Sequence, residues 1–253
     1  MTCPEQYINR VIHGDCLEVM KGMPDGCVDL VLTDPPYGTT SNEWDSVVDF
    51  WGEFERICKG GFIVFSSQPF TTDLISSRRH DFKYSWIWNK GMTGNFAIAK
   101  YQPLKVHEEI CIFGDVKYNP IMRKGKARYK GGSFKGNSST GNIISTKHFS
   151  EDYYPISILD YNNASKRNDS QHPTQKPIEL MAYLINTYSS EESLILDPFC
   201  GSGTTLVAAK MLGRRYIGID IEKKYCDIAE ERLRNTTPPL PFTQEKMEQG
   251  AML

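Results

Sequence analysis

The sequence predicts an α/β fold in which a mostly parallel, twisted sheet carries helices on both faces, and three observations predict it. Short β-branched runs alternate with helical patterns along the chain, as parallel strands joined by helical crossovers require. An apolar run at residues 194–196 passes through a glycine loop into a helical pattern that begins near Thr204. A second buried run, residues 28–33, ends directly in an acidic turn with two prolines, which places that turn at the C-terminal end of a strand.

Strand candidates fall at residues 7–12, 28–33, 62–66, 84–88, 109–113, 193–196 and 216–219. Between the second and third, Trp44, Val47, Val48, Trp51, Phe54 and Cys58 recur at steps of three and four, the stripe that a half-buried helix shows. Ile178, Met181, Leu184, Ile185 and Tyr188 repeat that spacing, and so do Tyr225, Ile228, Ala229 and Leu233. From residue 115 to about residue 170 the chain turns to Gly, Ser, Asn, Lys and Tyr with no sustained period, the mark of an inserted module or long functional loop. One principal domain is therefore expected in two halves, 1–114 and 171–235, with the insertion between them. Residues 236–253 open with Pro238, Pro239 and Pro241 and carry no apolar stripe, which predicts a poorly ordered tail.

A chain of 253 residues buries one substantial core and leaves room for a small extra module. Its hydrophobic share of 40% and charged share of 24% are those of a globular protein, and no apolar run is long enough to cross a bilayer. The first ten residues lack an export signal, so the cytoplasm is the expected location. Seven scattered cysteines with no Cys-x-x-Cys pair read as reduced thiols, with neither a disulfide framework nor a metal site.

The net charge of −2 conceals an asymmetry. Residues 117–147 hold eight Lys or Arg (among them Lys124, Lys126, Arg128 and Lys130) and no Asp or Glu, which leaves −10 on the rest. A basic segment on an acidic body suits a polyanion such as double-stranded DNA, because cations placed near phosphates release counterions. A solvated loop is the plainer alternative.

Two motifs are candidates for the chemistry, although each taken alone is also an ordinary turn, the first Pro-rich with a core tyrosine and the second a tight strand-to-helix turn with a buried Asp. Asp34-Pro35-Pro36-Tyr37 presents a carboxylate and rigidly held carbonyls, acceptors suited to amino hydrogens, because successive prolines fix φ and remove backbone donors. An exocyclic nucleobase nitrogen, its lone pair delocalised into the ring, becomes a better nucleophile when acceptors hold both its hydrogens. Asp34 and the Pro35 carbonyl supply that pair, and Tyr37 offers an aromatic face to an unstacked base. The second motif, Asp197-Pro198-Phe199-Cys200-Gly201-Ser202-Gly203-Thr204-Thr205, lets backbone approach a ligand at a helix N-terminus. It lacks the Lys of a Walker loop and the spacing of the dinucleotide fingerprint, which disfavours a nucleoside triphosphate or NAD. Asp220, ending the next strand candidate, suits the two hydroxyls of a ribose.

Together these residues resemble the amino-methylating DNA methyltransferases of the β arrangement, in which an Asp-Pro-Pro-Tyr motif comes early, a target-recognition region follows and a Phe-x-Gly-x-Gly motif comes late. The resemblance spans roughly residues 7–234. It implies a Rossmann-like methyltransferase fold, S-adenosylmethionine as cofactor, and the strands ending at Asp34 and Asp197 as neighbours at the point where strand order reverses. By the same resemblance Asp15 and Cys16 lie at the cofactor adenine, Thr174 and Lys176 near its methionine end, and Asp197, Phe199, Cys200, Gly201, Ser202, Gly203 and Thr204 around it. Trp86 and Trp88 occupy the family's strand beside the flipped base, although core packing is the plainer role for both. Asp at the first catalytic position is commoner in the family's adenine-N6 enzymes than in its N4-cytosine ones. The competing readings are an N4-cytosine enzyme, a DNA-binding module without turnover, and an RNA or protein methyltransferase, in which the order of motifs is generally reversed. The recognised bases, a homodimer and an accompanying restriction endonuclease are left open by the residues.

Overall fold

The computed structural model describes residues 2–38, 48–91, 96–134, 143–162 and 175–237. Its strands are β1 (Arg10–His13), β2 (Val28–Thr33), β3 (Cys58–Ser66), β4 (Phe82–Asn89), β5 (His107–Gly114), β6 (Arg123–Phe134), β7 (Ile143–Tyr153), β8 (Ile158–Asp160), β9 (Leu194–Asp197) and β10 (Arg215–Asp220). The helices are α1 (Cys16–Lys21), α2 (Trp51–Ile57), α3 (Phe70–Ser77), α4 (Ile178–Tyr188), α5 (Thr204–Met211) and α6 (Lys223–Asn235).

Eight strands form one sheet in the order β1-β10-β9-β2-β3-β5-β4-β8. Those from β1 to β3 are parallel, β5 runs against both β3 and β4, and β8 is parallel to β4. From β2 the chain moves to β3 on one side, and from β9 it moves to β10 on the other. Strand order therefore reverses between β9 and β2, and ligands of open α/β sheets collect in the crevice beyond that point.

Alternation along the strands sorts the core into two faces. Leu194, Leu196, Ile217, Ile219, Phe62 and Val64 pack in one cluster with Cys16 and Met20 of α1, Phe54 and Ile57 of α2 and Phe70 of α3. Ile195, wholly buried between Leu194 and Leu196, points to the opposite face. Helices α4, α5 and α6 pack on one another in series. Every residue of β9 is buried, so this strand reads as a continuous apolar run, each large side chain contributing about 1.5–3 kcal/mol.

All seven expected strands are present, with bounds that match at residues 28–33 and elsewhere are displaced by one to four residues where the apolar signal and the ladder end at different places. The expected stripe that began at Trp44 yields a helix only from Trp51, and Cys58 opens β3 instead of closing the helix. A buried Cys serves a strand edge as well as a helix face, so spacing alone could not decide. Trp44 and Val47 lie outside the described residues, as do Thr174 and the tail from residue 238 onward.

Pro120–Ile156 form a second compact unit, an antiparallel hairpin of β6 and β7. The stretch that looked irregular thus contains strands. Their described residues are mostly exposed, aromatic ones included, so no alternation of apolar with polar residues betrays them. Tyr129 and Phe149 are cross-strand partners with ring centroids 5.3 Å apart, 77% and 64% exposed. Lys124 is paired with Glu151 and Asp152, Lys130 donates to the Asp152 carbonyl, and Arg128 stacks 5.0 Å above the Tyr153 ring. Among the described residues no helix is long and apolar enough to cross a membrane.

Candidate active site

The two motifs emerge at the same end of adjacent parallel strands. β2 and β9 pair through Leu30 with Ile195 and Val31 with Leu196, so the chain leaves Thr33 and Asp197 side by side. A buried hydrogen bond clasps them, the Thr33 hydroxyl donating to Asp197 Oδ1 at 2.7 Å. Asp197 Oδ2 accepts from the Thr205 hydroxyl at 2.6 Å, and Oδ1 also takes the Phe199 N–H at 3.2 Å. Burial raises the Asp197 carboxyl to about 6 against these donors. Asp197 therefore ties the glycine loop to the strand that carries the acidic turn.

The loop itself is shaped by two left-handed glycines. Gly201 has φ +50°, and a Cβ placed there would meet no atom within 4 Å, so this backbone faces open space. Gly203 has φ +74°, and a Cβ there would lie 2.7 Å from the Ala229 Cβ of α6. The first glycine leaves room for a ligand, whereas the second lets α5 and α6 approach. The side chains of Ser202 and Thr204 accept from Arg232 at 3.0 and 3.1 Å, so they brace the loop from α6. Cys200 is buried and its thiol is pushed well above the ordinary range by that burial, which suits packing and not nucleophilic attack.

Asp220 ends β10, the neighbour of β9, and accepts the Gly201 N–H on Oδ2 and the Glu222 N–H on Oδ1, each at 2.8 Å. Burial raises its carboxyl. Next along the edge, His13 of β1 lies opposite Asp220, Gly14 N–H bonds the Asp220 carbonyl at 3.0 Å, and Asp15 caps α1 by accepting the Glu18 N–H. Cys16 is buried immediately behind that cap. Asp15, Asp220, Asp197 and Asp34 thus stand at the C-terminal ends of consecutive strands in the sheet, beside the reversal of strand order.

Around Asp34 the structure adds partners that motif reading did not supply. The Tyr37 hydroxyl donates to Asp34 Oδ1, and the Tyr37 ring stacks on Phe70 of α3 with centroids 5.2 Å apart. Burial, and then the Asp34 charge, raise the Tyr37 phenol, so it stays protonated as a donor. Pro35 is buried and Pro36 half-buried, which fixes the turn. Lys176, only 8% exposed, reaches from the segment before α4 to donate to Asp34 Oδ2. Its ammonium also lies 3.6 Å from Glu108 Oε2, and Lys90 donates to Glu108 Oε1 at 2.9 Å. Burial disfavours the Lys176 charge, and the Asp34 and Glu108 carboxylates outweigh it and hold the ammonium protonated. Trp88 walls this network, its ring 5.9 Å from Lys176 Nζ, and both it and Trp86 are buried core residues.

Glu108 and Lys90 are members of this buried network that sequence reasoning passed over. Their signal is a pair of acids, Glu108 and Glu109, opening an otherwise apolar strand whose ladder is buried on both sides. A carboxylate in such a strand needs a partner.

Residues 28–231 match the N6_N4_Mtase family model, described as DNA methylase. The type II methyltransferase M.HinfI of Haemophilus influenzae is 30% identical over 260 residues, covering 92% of this chain and 70% of that one. YubD of Escherichia coli strain K12 is 27% identical, with 96% and 95% covered. Among solved structures, the M1.HpyAVI complex with SAM superposes with TM-score 0.58 at 24% identity, covering 88% of this chain and 98% of that one. The cytosine-N4-specific PvuII DNA methyltransferase does so with TM-score 0.62 at 17% identity, covering 94% and 89%. At those identities the structures establish the shared Rossmann-like fold.

Proposed function

Because the chain belongs to the N6/N4 family of DNA methylases, we propose that it transfers a methyl group from S-adenosylmethionine to the N6 amino group of adenine in double-stranded DNA. One observation carries the reading: an amino-acceptor turn and a glycine loop leave neighbouring strands at the same end and are clasped by Thr33 and Asp197. When bound, the cofactor supplies an electrophilic sulfonium methyl. The open backbone at Gly201 and the amides leading into α5 suit its amino-acid end, where an anionic carboxylate meets a helix N-terminus. Asp220 offers acceptors to its ribose and Asp15 to its adenine, with Phe199 and Cys16 as apolar neighbours. Thr174 stays in this reading by resemblance alone. Lys176 serves the catalytic turn, since its ammonium sits on Asp34.

In the transfer, Asp34 Oδ2 and the Pro35 carbonyl would accept hydrogen bonds from the two amino hydrogens and direct the nitrogen lone pair at the methyl carbon; the methyl's bond to sulfur breaks as the N–C bond forms, and the nitrogen then sheds one of its two protons to solvent. Tyr37 holds Asp34 from the other side and stacks against the base. Alignment supplies much of the rate, and no covalent enzyme intermediate is needed. The β6–β7 hairpin is the target-recognition element, with Lys124, Lys126, Arg128 and Lys130 on phosphates and Tyr129 and Phe149 available for stacking. A two-stranded ribbon fits the major groove. A cytoplasmic setting, where the thiols stay reduced, accompanies this reading.

Nucleoside mass spectrometry of duplex DNA incubated with the protein and labelled cofactor tests it. The expected product is N6-methyladenine. N4-methylcytosine would overturn the choice of base, and labelled RNA or protein with unlabelled DNA would overturn the choice of substrate.

A further inference from the structure

The buried charges beside the catalytic turn form a chain with one unsatisfied atom. Lys90 holds Glu108 Oε1, Lys176 holds Asp34 Oδ2, and Glu108 Oε2 is a buried side-chain oxygen with no hydrogen bond. The Lys176 ammonium stands 3.6 Å from that oxygen, just beyond hydrogen-bonding reach. The Phe65 and Trp88 rings, 5.2 and 5.9 Å from the ammonium, give it an apolar wall. A buried carboxylate oxygen that has an ion-pair partner but no hydrogen bond is costly, so its place beside Asp34 calls for a use.

Asp34 faces a conflict in the resting arrangement. Each of its oxygens already accepts one hydrogen bond, Oδ1 from Tyr37 and Oδ2 from Lys176, and the buried cation on Oδ2 neutralises the charge with which the proposed chemistry asks that oxygen to hold an amino hydrogen of the base. We propose that Glu108 is a positioning residue that takes the Lys176 ammonium from Asp34 as the base arrives, leaving Asp34 Oδ2 to accept the amino hydrogen. The ammonium has to travel only about 1 Å to bond Glu108 Oε2, and it keeps a carboxylate partner at both ends of that path. No proton changes hands and no bond breaks. Lys90 anchors the receiving carboxylate throughout. Burial opposes the Glu108 charge, but Lys176 and Lys90 outweigh it and hold its carboxyl below the ordinary range, so the receiver is anionic in advance.

The inference rests on Asp34 as the amino acceptor, and the test separates the two. Wild type, Glu108→Gln, Lys176→Gln and the double variant are compared by single-turnover methyl transfer to duplex DNA, with cofactor and DNA affinities measured separately. Glu108→Gln keeps the side-chain shape and removes the receiving charge. Its transfer rate should fall about 30-fold or more, with both affinities within about threefold of wild type. Adding Glu108→Gln to Lys176→Gln should cost almost nothing further, because the ammonium to be received is gone. An equal loss in both backgrounds, or a loss confined to affinity, would reduce Glu108 to a packing residue. If Glu108→Gln does not fold, a crystal structure with duplex and an unreactive cofactor analogue decides. Lys176 Nζ bonded to Glu108 Oε2 supports the transfer, and Lys176 still on Asp34 Oδ2 beside the bound base overturns it. A wild type with no activity on DNA would instead defeat the functional reading.

Discussion

Replacing Gly203 and Gly201 by Ala, one at a time, separates the two demands made on the glycine loop. At Gly203 the added Cβ would lie 2.7 Å from the Ala229 Cβ and 3.2 Å from its Cα, with φ at +74°. A left-handed non-glycine residue costs about 1–2 kcal/mol, and forcing a methyl into a packed helix contact costs about 1–3 kcal/mol more. The sum, about 2–5 kcal/mol, lowers the melting temperature of a protein this size by roughly 5–15 °C. At Gly201 only the backbone term applies, because the Cβ meets nothing within 4 Å, and the fall should be about 3–6 °C. Cofactor affinity should show the reverse order, since the Gly201 methyl intrudes where the ligand is placed. A loss of at least about tenfold is expected for Gly201→Ala at a temperature where both variants are folded. Calorimetric melting and isothermal titration with S-adenosylmethionine read the two effects. If Gly203→Ala melts with wild type, or Gly201→Ala binds cofactor unimpaired, the division of roles is wrong.

Asp197 makes stability depend on pH. Its proton is held to about 6 in the fold against an ordinary 3.8, so it favours the folded state below 3.8 and that advantage is lost as pH rises through about 6. Relative to Asp197→Asn, wild type should therefore lose roughly 2–3 kcal/mol of stability between about pH 4 and 6, and parallel curves would refute the assigned burial. On the hairpin, Lys126→Gln with Arg128→Gln should lower the slope of log affinity for DNA against log salt by about two. Lys124→Gln should lower it by less than about one, because Glu151 and Asp152 already neutralise that ammonium. An unchanged slope in both variants would return the hairpin to a merely solvated segment.

The sheet and both motifs were legible because their signals are local. A buried run such as residues 28–33 states its own strand, and the proline pair after it states where the strand stops. That Asp34 and Asp197 follow neighbouring strands was legible only through resemblance, since strand order is a long-range property that no spacing encodes. The hairpin was illegible for a different reason: strands wet on both faces carry no alternation, and here Lys, Gly and Ser conceal them. Glu108 and Lys90 escaped because a buried charge is recognised by its partner, and the partner, Lys176, stands 68 residues beyond Glu108. For Lys176 itself the motif supplied the residue, and the fold supplied what its ammonium touches.

The proposed function divides labour across one crevice, with the glycine loop holding the methyl donor and the acidic turn holding the amino group. Asp34→Asn separates the two most directly when cofactor binding and single-turnover methyl transfer are measured on the same preparation. S-adenosylmethionine affinity should stay within about threefold of wild type while transfer to DNA falls by about 100-fold or more. Undiminished transfer would contradict the account, and so would a loss explained wholly by weaker cofactor binding.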